Sequence, residues 1–94
     1  MECTSVLFSG DAVTRMFERG LHRRNVTDVL SGREVIAAYP DDRPFPSYLL
    51  LGFPEGRPIH LVAARDPASG RCIVVTVYRP DPQKWADEFR TRRQ

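Results

Sequence analysis

The chain has 94 residues, of which 41% are hydrophobic and 28% charged, and its formal net charge is +2. This length suits one domain spanning residues 1–94 around one core and is too short for two. The near balance of charge argues only weakly for a polyanionic partner. Because Glu2 stands where a signal peptide would be basic, and no apolar run is long enough to span a bilayer, we expect a soluble cytoplasmic protein without membrane contact.

Cysteine usage predicts neither a disulfide framework nor a metal centre. The chain has two cysteines, Cys3 and Cys72, too few and too differently placed to suggest a framework of bridges. Cys72 opens an apolar strand and is typical of a small buried hydrophobic residue. We therefore predict no structural metal and no cofactor.

Arginine dominates the basic residues, since Lys84 is the only lysine. The planar guanidinium matches the geometry of phosphate and carboxylate, so the arginines are candidates for binding either group. The alternative is compositional, because an arginine-rich sequence also results from a GC-rich genome.

Two amphipathic helices are predicted near the N-terminus. In FSGDAVTRMFERG, Ser9 is a suitable N-cap and Gly20 a suitable stop, with apolar residues on one side between them. In HRRNVTDVLSG, Val26, Val29 and Leu30 follow helical spacing and Gly32 closes the segment.

The rest of the chain predicts a sheet followed by a terminal helix. Four strands with period-two patterns are separated by short turns, as in an antiparallel meander: EVIAAY (34–39), SYLLLGF (47–53), PIHLVAARD (58–66) and RCIVVTVY (71–78). In DPQKWADEFRTRRQ, Asp81 can cap a helix that Pro82 begins. The expected fold is α+β, with two N-terminal helices packed on a four-stranded antiparallel sheet and a short C-terminal helix.

Alternation along the strands assigns side chains to the two faces of the sheet. The predicted core face, under the helices, consists of Ile59, Leu61, Ala63, Ile73, Val75 and Val77. His60, Thr76 and Tyr78 then share the opposite face, and Arg65 and Arg79 stand at strand ends. If the strands are neighbours, a proton carrier, a hydroxyl and a phenol converge on one surface.

Such a cluster could cleave RNA without a metal. The 2′-hydroxyl would attack the adjacent phosphorus, one side chain would take its proton, another would protonate the leaving oxygen, and arginines would stabilise the charge. Histidine suits proton transfer because its ordinary pKa is about 6.5. The alternative is structural, because a single histidine in a strand is often a satisfied buried residue and Thr and Tyr are good strand formers.

The runs FSGDAVTRMFERGL, VLSGREVIAAYPDDRPFPSYLLLGF, GRPIHLVAA and VVTVYRPDPQKW together resemble a bacterial domain family of unknown function, family 4258. That family resembles in turn the RelE and MqsR toxins. The resemblance implies a RelE-like fold, ribonuclease activity on mRNA, and restraint by a cognate antitoxin, for which a YgiT-type zinc-finger protein is the expected type.

One position departs from the family pattern. The resemblance covers Arg15, Arg19, His60, Thr76 and Tyr78 among other residues, but Asp11 stands where the pattern usually has a histidine. A carboxylate repels phosphate and would pair with Arg15, one helical turn away. Asp11 therefore implies either an impaired or reassigned role, or an inactivating substitution.

Two functions of different classes remain open. The first is a toxin-like endoribonuclease, with His60, Tyr78, Asp11 and Arg15 as catalytic residues. Its predicted substrate ligands are Arg19, Arg79, Arg65 and Thr76. The second is a non-catalytic module of the same fold that binds RNA or a protein. A homodimer is also open, because the apolar run in SYLLLGF would need a cover if that strand lay at a sheet edge.

Overall fold

The chain begins with a short strand, continues with two helices, and then forms most of a sheet. A computed structural model describes residues 1–32 and 34–93. The elements are β1 (Ser5–Phe8), α1 (Gly10–Arg19), α2 (Arg23–Ser31), β2 (Val35–Tyr39), β3 (Ser47–Gly52), a 3₁₀ turn (Pro54–Gly56), β4 (Ile59–Arg65), β5 (Arg71–Tyr78), β6 (Trp85–Ala86) and β7 (Thr91–Arg92).

The helices begin and end at the residues that local chemistry predicts. Ser9 is the N-cap of α1, and its Oγ accepts a hydrogen bond of 3.0 Å from the backbone N–H of Ala12. Gly20 ends α1 with a φ of 65°, a left-handed conformation that glycine adopts without strain. In the described part of the chain, neither helix has the length and hydropathy needed to cross a bilayer.

The predicted four-stranded antiparallel sheet is wrong, because the sheet has five strands and is mixed. Its order is β1-β5-β4-β3-β2. Strands β2, β3, β4 and β5 follow one another along the chain and form an antiparallel meander. The additional strand, β1, pairs in parallel with β5, so that Val6 lies opposite Cys72.

Long-range contacts stabilise β1, whose apolar run is too short to indicate a strand. The backbone N–H of Ser9 donates to the Val74 carbonyl over 3.0 Å, and Ser9 Oγ donates to the Val75 carbonyl over 2.6 Å. Cys3 and Cys72 form a disulfide across the β1–β5 pair, with their Cα atoms 5.5 Å apart. Cys72 is fully buried as expected, but the number and placement of the cysteines did not suggest the single bridge that they form.

The predicted C-terminal helix is also wrong over residues 81–93. Asp81 does not start a helix: its Oδ1 accepts from the Gln83 N–H in a turn. β6 and β7 then pair as a small antiparallel hairpin, with Trp85 opposite Arg92. Contacts with the main sheet, described below, outweigh the local preference for a helix. Gln94, the last residue of the predicted helix, lies outside the described residues.

The helices cover one face of the sheet, and a bulge in β5 changes which residues lie there. Val62 pairs with Thr76 and Ala63 with Val74, so Val75 is an extra residue in β5. Ile73 and Val75 therefore do not lie in the core as predicted, and Val75 is 39% exposed. The core under the helices contains the buried residues Ala12, Leu21, Val26, Val29, Leu30, Leu50, Ile59, Leu61, Ala63, Cys72, Val74 and Val77.

α2 packs closely against the end of β3 because Gly52 has no side chain. A Cβ built at Gly52 would lie 2.7 Å from Cγ2 of Val29, closer than real contacts allow. Glycine is required here for close approach of a helix, and its φ is not the reason.

Candidate functional site

His60 and Tyr78 are neighbours across β4 and β5, as the strand register requires. The Nδ1 atom of His60 lies 3.1 Å from the Tyr78 hydroxyl, and Nε2 lies 2.8 Å from the carbonyl oxygen of Phe89. A carbonyl only accepts hydrogen bonds, so Nε2 carries the proton and donates to Phe89. Nδ1 of the neutral ring is then the acceptor for the Tyr78 O–H.

The His60 ring is sealed from solvent. Its exposed fraction is 0%, and the Trp85 ring meets it edge-on with ring centroids 4.4 Å apart. Burial lowers the pKa of His60 below its ordinary value, and the hydrogen bond to Phe89 opposes this in part. Burial also raises the pKa of Tyr78. In this arrangement His60 and Tyr78 form a neutral, hydrogen-bonded pair whose imidazole is out of contact with solvent.

Thr76 lies on the same face of the sheet as His60 and Tyr78. It pairs with Val62, two residues along β4 from His60, and it is half-buried. The register thus brings together the three strand residues that alternation assigned to one face. Their exposure differs from the expectation of an open surface, because residues beyond β5 cover His60.

Asp11 and Arg15 lie on the other side of the sheet from His60. α1 packs on the face that carries Leu61, and the His60 side chain points to the opposite face. Arg15 Nε lies 3.6 Å from Asp11 Oδ1, the pairing expected for an aspartate at that position, and Arg15 Nη1 lies 3.5 Å from Glu18. Arg15 and His60 therefore do not converge on one phosphate in this structure.

Arg65 is distant from the other predicted ligands. Its Nε donates to the Glu2 carbonyl over 2.8 Å, next to β1. Five residues of extended chain, roughly 16 Å, separate it from His60 along β4. Arg65 contacts the N-terminal segment and contributes nothing to the His60 surroundings.

Arg79 is close enough to Arg19 and to Arg57 for their charges to act on it, and the sequence analysis did not select Arg57. Among the described residues, Nη1 of Arg79 is a buried atom without a hydrogen-bond partner. Burial lowers the pKa of Arg79, and the positive charges of Arg57 and Arg19 lower it further, while Glu55 opposes them. We call Arg19, Arg57 and Arg79 the arginine cluster.

A signal for Arg57 was present in the sequence. In an antiparallel pair, the start of one strand lies beside the end of its neighbour. Arg57 precedes β4 and Arg79 follows β5, so the meander alone places them at the same end of the sheet. The residues that cover His60 carried no comparable signal, because they were assigned to a helix.

A concave surface in the described part of the chain lies apart from the predicted site residues. A hollow of about 290 Å³ lies between α2 and the end of β3, lined by residues such as Asp28, Leu51 and Phe53. Within residues 1–32 and 34–93, no group of three His, Cys, Asp or Glu side chains could hold a metal ion.

Comparison with known proteins identifies one family. The family model described as "Domain of unknown function (DUF4258)" matches residues 8–79, most of the chain, and this range includes His60, Tyr78 and the arginine cluster. No curated protein and no solved structure matches the chain.

Proposed function

Because the chain belongs to the DUF4258 family, whose description assigns no activity, we propose from the geometry that this protein is a non-catalytic module that binds single-stranded RNA. The observation that carries the proposal is the buried, unpartnered Nη1 of Arg79 within the arginine cluster. The three arginines would hold RNA phosphates at the end of the sheet.

A phosphate would supply what the arginine cluster lacks. A buried donor without an acceptor is costly, and three guanidinium groups repel one another. A phosphate oxygen accepts from Arg79 Nη1, and its negative charge offsets the repulsion. Glu55 is the carboxylate that acts on Arg79, and it does not bond the orphaned atom.

Exposed aromatic rings close in sequence to two of the arginines favour a single strand over a duplex. Phe17, 88% exposed, is two residues before Arg19 in α1, and Phe53, 41% exposed, is four residues before Arg57, so each ring is close to an arginine of the cluster along the chain. Proteins that bind single strands combine basic residues with aromatic rings on which bases stack. Base stacking would also explain why such large apolar side chains are exposed.

The test measures binding of a labelled single-stranded RNA by fluorescence anisotropy over a range of salt concentrations. We expect Arg79→Gln to weaken binding to RNA of any sequence. The slope of log affinity against log salt concentration should become shallower by about 1. The matched control is Arg71→Gln, an exposed arginine at the opposite end of β5, roughly 26 Å away. Equal affinity of Arg79→Gln and wild type would refute the proposal, as would cleavage of the bound RNA.

The contact between His60 and Tyr78 favours a second candidate function, the toxin-like endoribonuclease. A proton acceptor and a proton donor 3.1 Å apart could serve cleavage if the ring became accessible. The test is cleavage of a defined RNA in a metal chelator, which His60→Ala and Tyr78→Phe should each reduce strongly. Activity that survives His60→Ala in a folded protein would count against this candidate.

The predicted antitoxin partner belongs to this second candidate. A reading frame for a YgiT-type zinc-finger protein beside the gene would support it, and purified partner should then bind this chain. The homodimer prediction is separate and is tested by the mass of the protein in solution.

A further inference from the structure

We propose that the segment 85–92, which we call the strap, is a releasable cover over His60, latched to the body of the protein by the ion pair between Arg90 and Glu34. In its closed position the strap keeps the imidazole of the His60–Tyr78 acid–base pair out of solvent. This inference does not depend on RNA binding.

Among the described residues, the backbone pairing of the strap lies within the strap and the two residues that flank it. β6 and β7 pair with each other. The flanking Arg93 donates its backbone N–H to the carbonyl of the flanking Lys84 over 2.8 Å and its side-chain Nε to the Trp85 carbonyl over 2.9 Å. Because these bonds are internal, the strap can leave the main sheet as a unit and keep them.

Few polar contacts hold the strap to the body. Arg90 donates to Glu34 from Nε and from Nη2, the latter over 2.9 Å to Oε1, in a two-pronged ion pair. The hydrogen bond to Glu34 raises the pKa of Arg90. The Phe89 carbonyl accepts from His60, and the Trp85 ring covers the imidazole. Among these contacts, the ion pair is the one between Arg90 of the strap and Glu34 of the body.

Backbone strain in the strap favours release. Asp87, Glu88 and Phe89 have φ values of 52°, 52° and 73°, three consecutive non-glycine residues in the left-handed region. Side chains with a Cβ are disfavoured there, so the contacts with the body must hold this turn in place. If the strap leaves the body, these residues can relax.

The strap lies outside the part of the chain that matches the family. The match covers residues 8–79, which include His60, Tyr78 and Glu34, and the strap follows it. The matched part of the chain thus contains the acid–base pair and one half of the latch without the cover.

Release would change the chemistry of His60. Nε2 would lose the Phe89 acceptor, so the ring could exchange between its two neutral tautomers in water. The Tyr78 hydroxyl would remain beside the ring through the β4–β5 register. The open state would therefore present a proton acceptor and a proton donor side by side.

The chain has two histidines, which makes the test direct. Diethyl pyrocarbonate acylates accessible neutral imidazole, and peptide mass spectrometry reports each site. His22 is exposed and serves as the internal standard. In wild type we expect labelled His22 and protected His60. Glu34→Gln and Arg90→Gln should raise labelling of His60 several-fold at constant His22 labelling.

The matched control is Glu88→Gln. Glu88 also pairs with Arg90, over 3.4 Å, but it belongs to the strap and is 81% exposed. Its removal changes the charge equally and leaves the latch in place, so His60 should stay protected. Equal labelling in Glu88→Gln and Glu34→Gln would overturn the proposal, as would full protection of His60 in folded Glu34→Gln.

Amide hydrogen exchange distinguishes strap release from global unfolding. In Glu34→Gln, β4 and β5 amides should stay protected while His60 becomes reactive. If that variant does not fold, wild type can be labelled in rising urea. His60 should then react below the unfolding midpoint, and labelling that rises only with global unfolding would refute the strap.

Discussion

Removal of the disulfide between Cys3 and Cys72 should destabilise the protein strongly. The bridge closes a loop with a sequence separation of 69 residues. Loop-closure entropy for such a length corresponds to about 4 kcal/mol at 25 °C. A domain of this size has a total stability of about 5–15 kcal/mol, so the loss is a large share of the total. The substitution of choice is Cys3→Ser, because Cys3 is partly exposed and Cys72 stays a buried thiol.

Urea unfolding followed by circular dichroism measures this loss. Cys3→Ser should unfold at lower urea than oxidised wild type, and reduced wild type should match the variant. The variant itself should not respond to reductant, which is the internal control.

Two results would contradict this prediction. Intact mass of the purified wild type should be lower by two hydrogen atoms than that of the reduced chain, and equal masses would show that the bridge is absent. If the bridge is present but its reduction leaves the unfolding midpoint unchanged, then the loop-closure argument is wrong.

Three further predictions concern stability, each measured by urea unfolding. Burial lowers the pKa of His60, so the folded protein favours the neutral ring. The free energy of unfolding should therefore fall as the pH drops below about 6.5, and it should level off below the lowered pKa. An unfolding free energy that does not change over this pH range would contradict the prediction. Gly52→Ala should cost about 1–3 kcal/mol, and the cost should shrink when Val29→Ala is added; additive costs contradict the predicted clash. Leu61→Ala should cost about 2–5 kcal/mol, while Leu7→Ala, at a side chain 50% exposed, should cost far less; similar costs contradict the assigned core.

The elements that the sequence predicts well are those with local causes. Ser9 and Gly20 determine the ends of α1 through bonds and backbone angles within a few residues, so their identities suffice. The four strands from β2 to β5 are bounded by turn residues and carry continuous apolar patterns. Their short connections predict neighbours in antiparallel order, and the register follows that order.

The elements that the sequence misses have causes far along the chain. β1 has four residues and depends on β5 and on a bridge to Cys72. The segment after Asp81 has a helical pattern, but Arg90 binds Glu34 and the Phe89 carbonyl binds His60. The bulge at Val75 follows directly on other apolar residues of β5. Because neighbouring residues are all apolar there, the sequence does not show which of them face the core.

For the candidate site too, the sequence predicts which strand residues are neighbours better than it predicts contacts between distant parts of the chain. Alternation correctly paired His60 with Tyr78, yet it also assigned the helices to the opposite face. An arginine on α1 could therefore not join His60 at one phosphate, and the predicted catalytic set contained residues from both faces. The cover over His60 could not be foreseen from a segment that was expected to be helical.

The sheet separates the two candidate chemistries, and adjacent residues at the end of β5 allow each to be tested alone. Tyr78 faces the strap, and Arg79 belongs to the arginine cluster with Arg19 of α1. Tyr78→Phe removes the proton donor beside His60 and should leave RNA affinity unchanged. Arg79→Gln should weaken RNA binding and leave His60 protected. If either substitution changed both readouts in a folded protein, the two faces would have to be parts of one site.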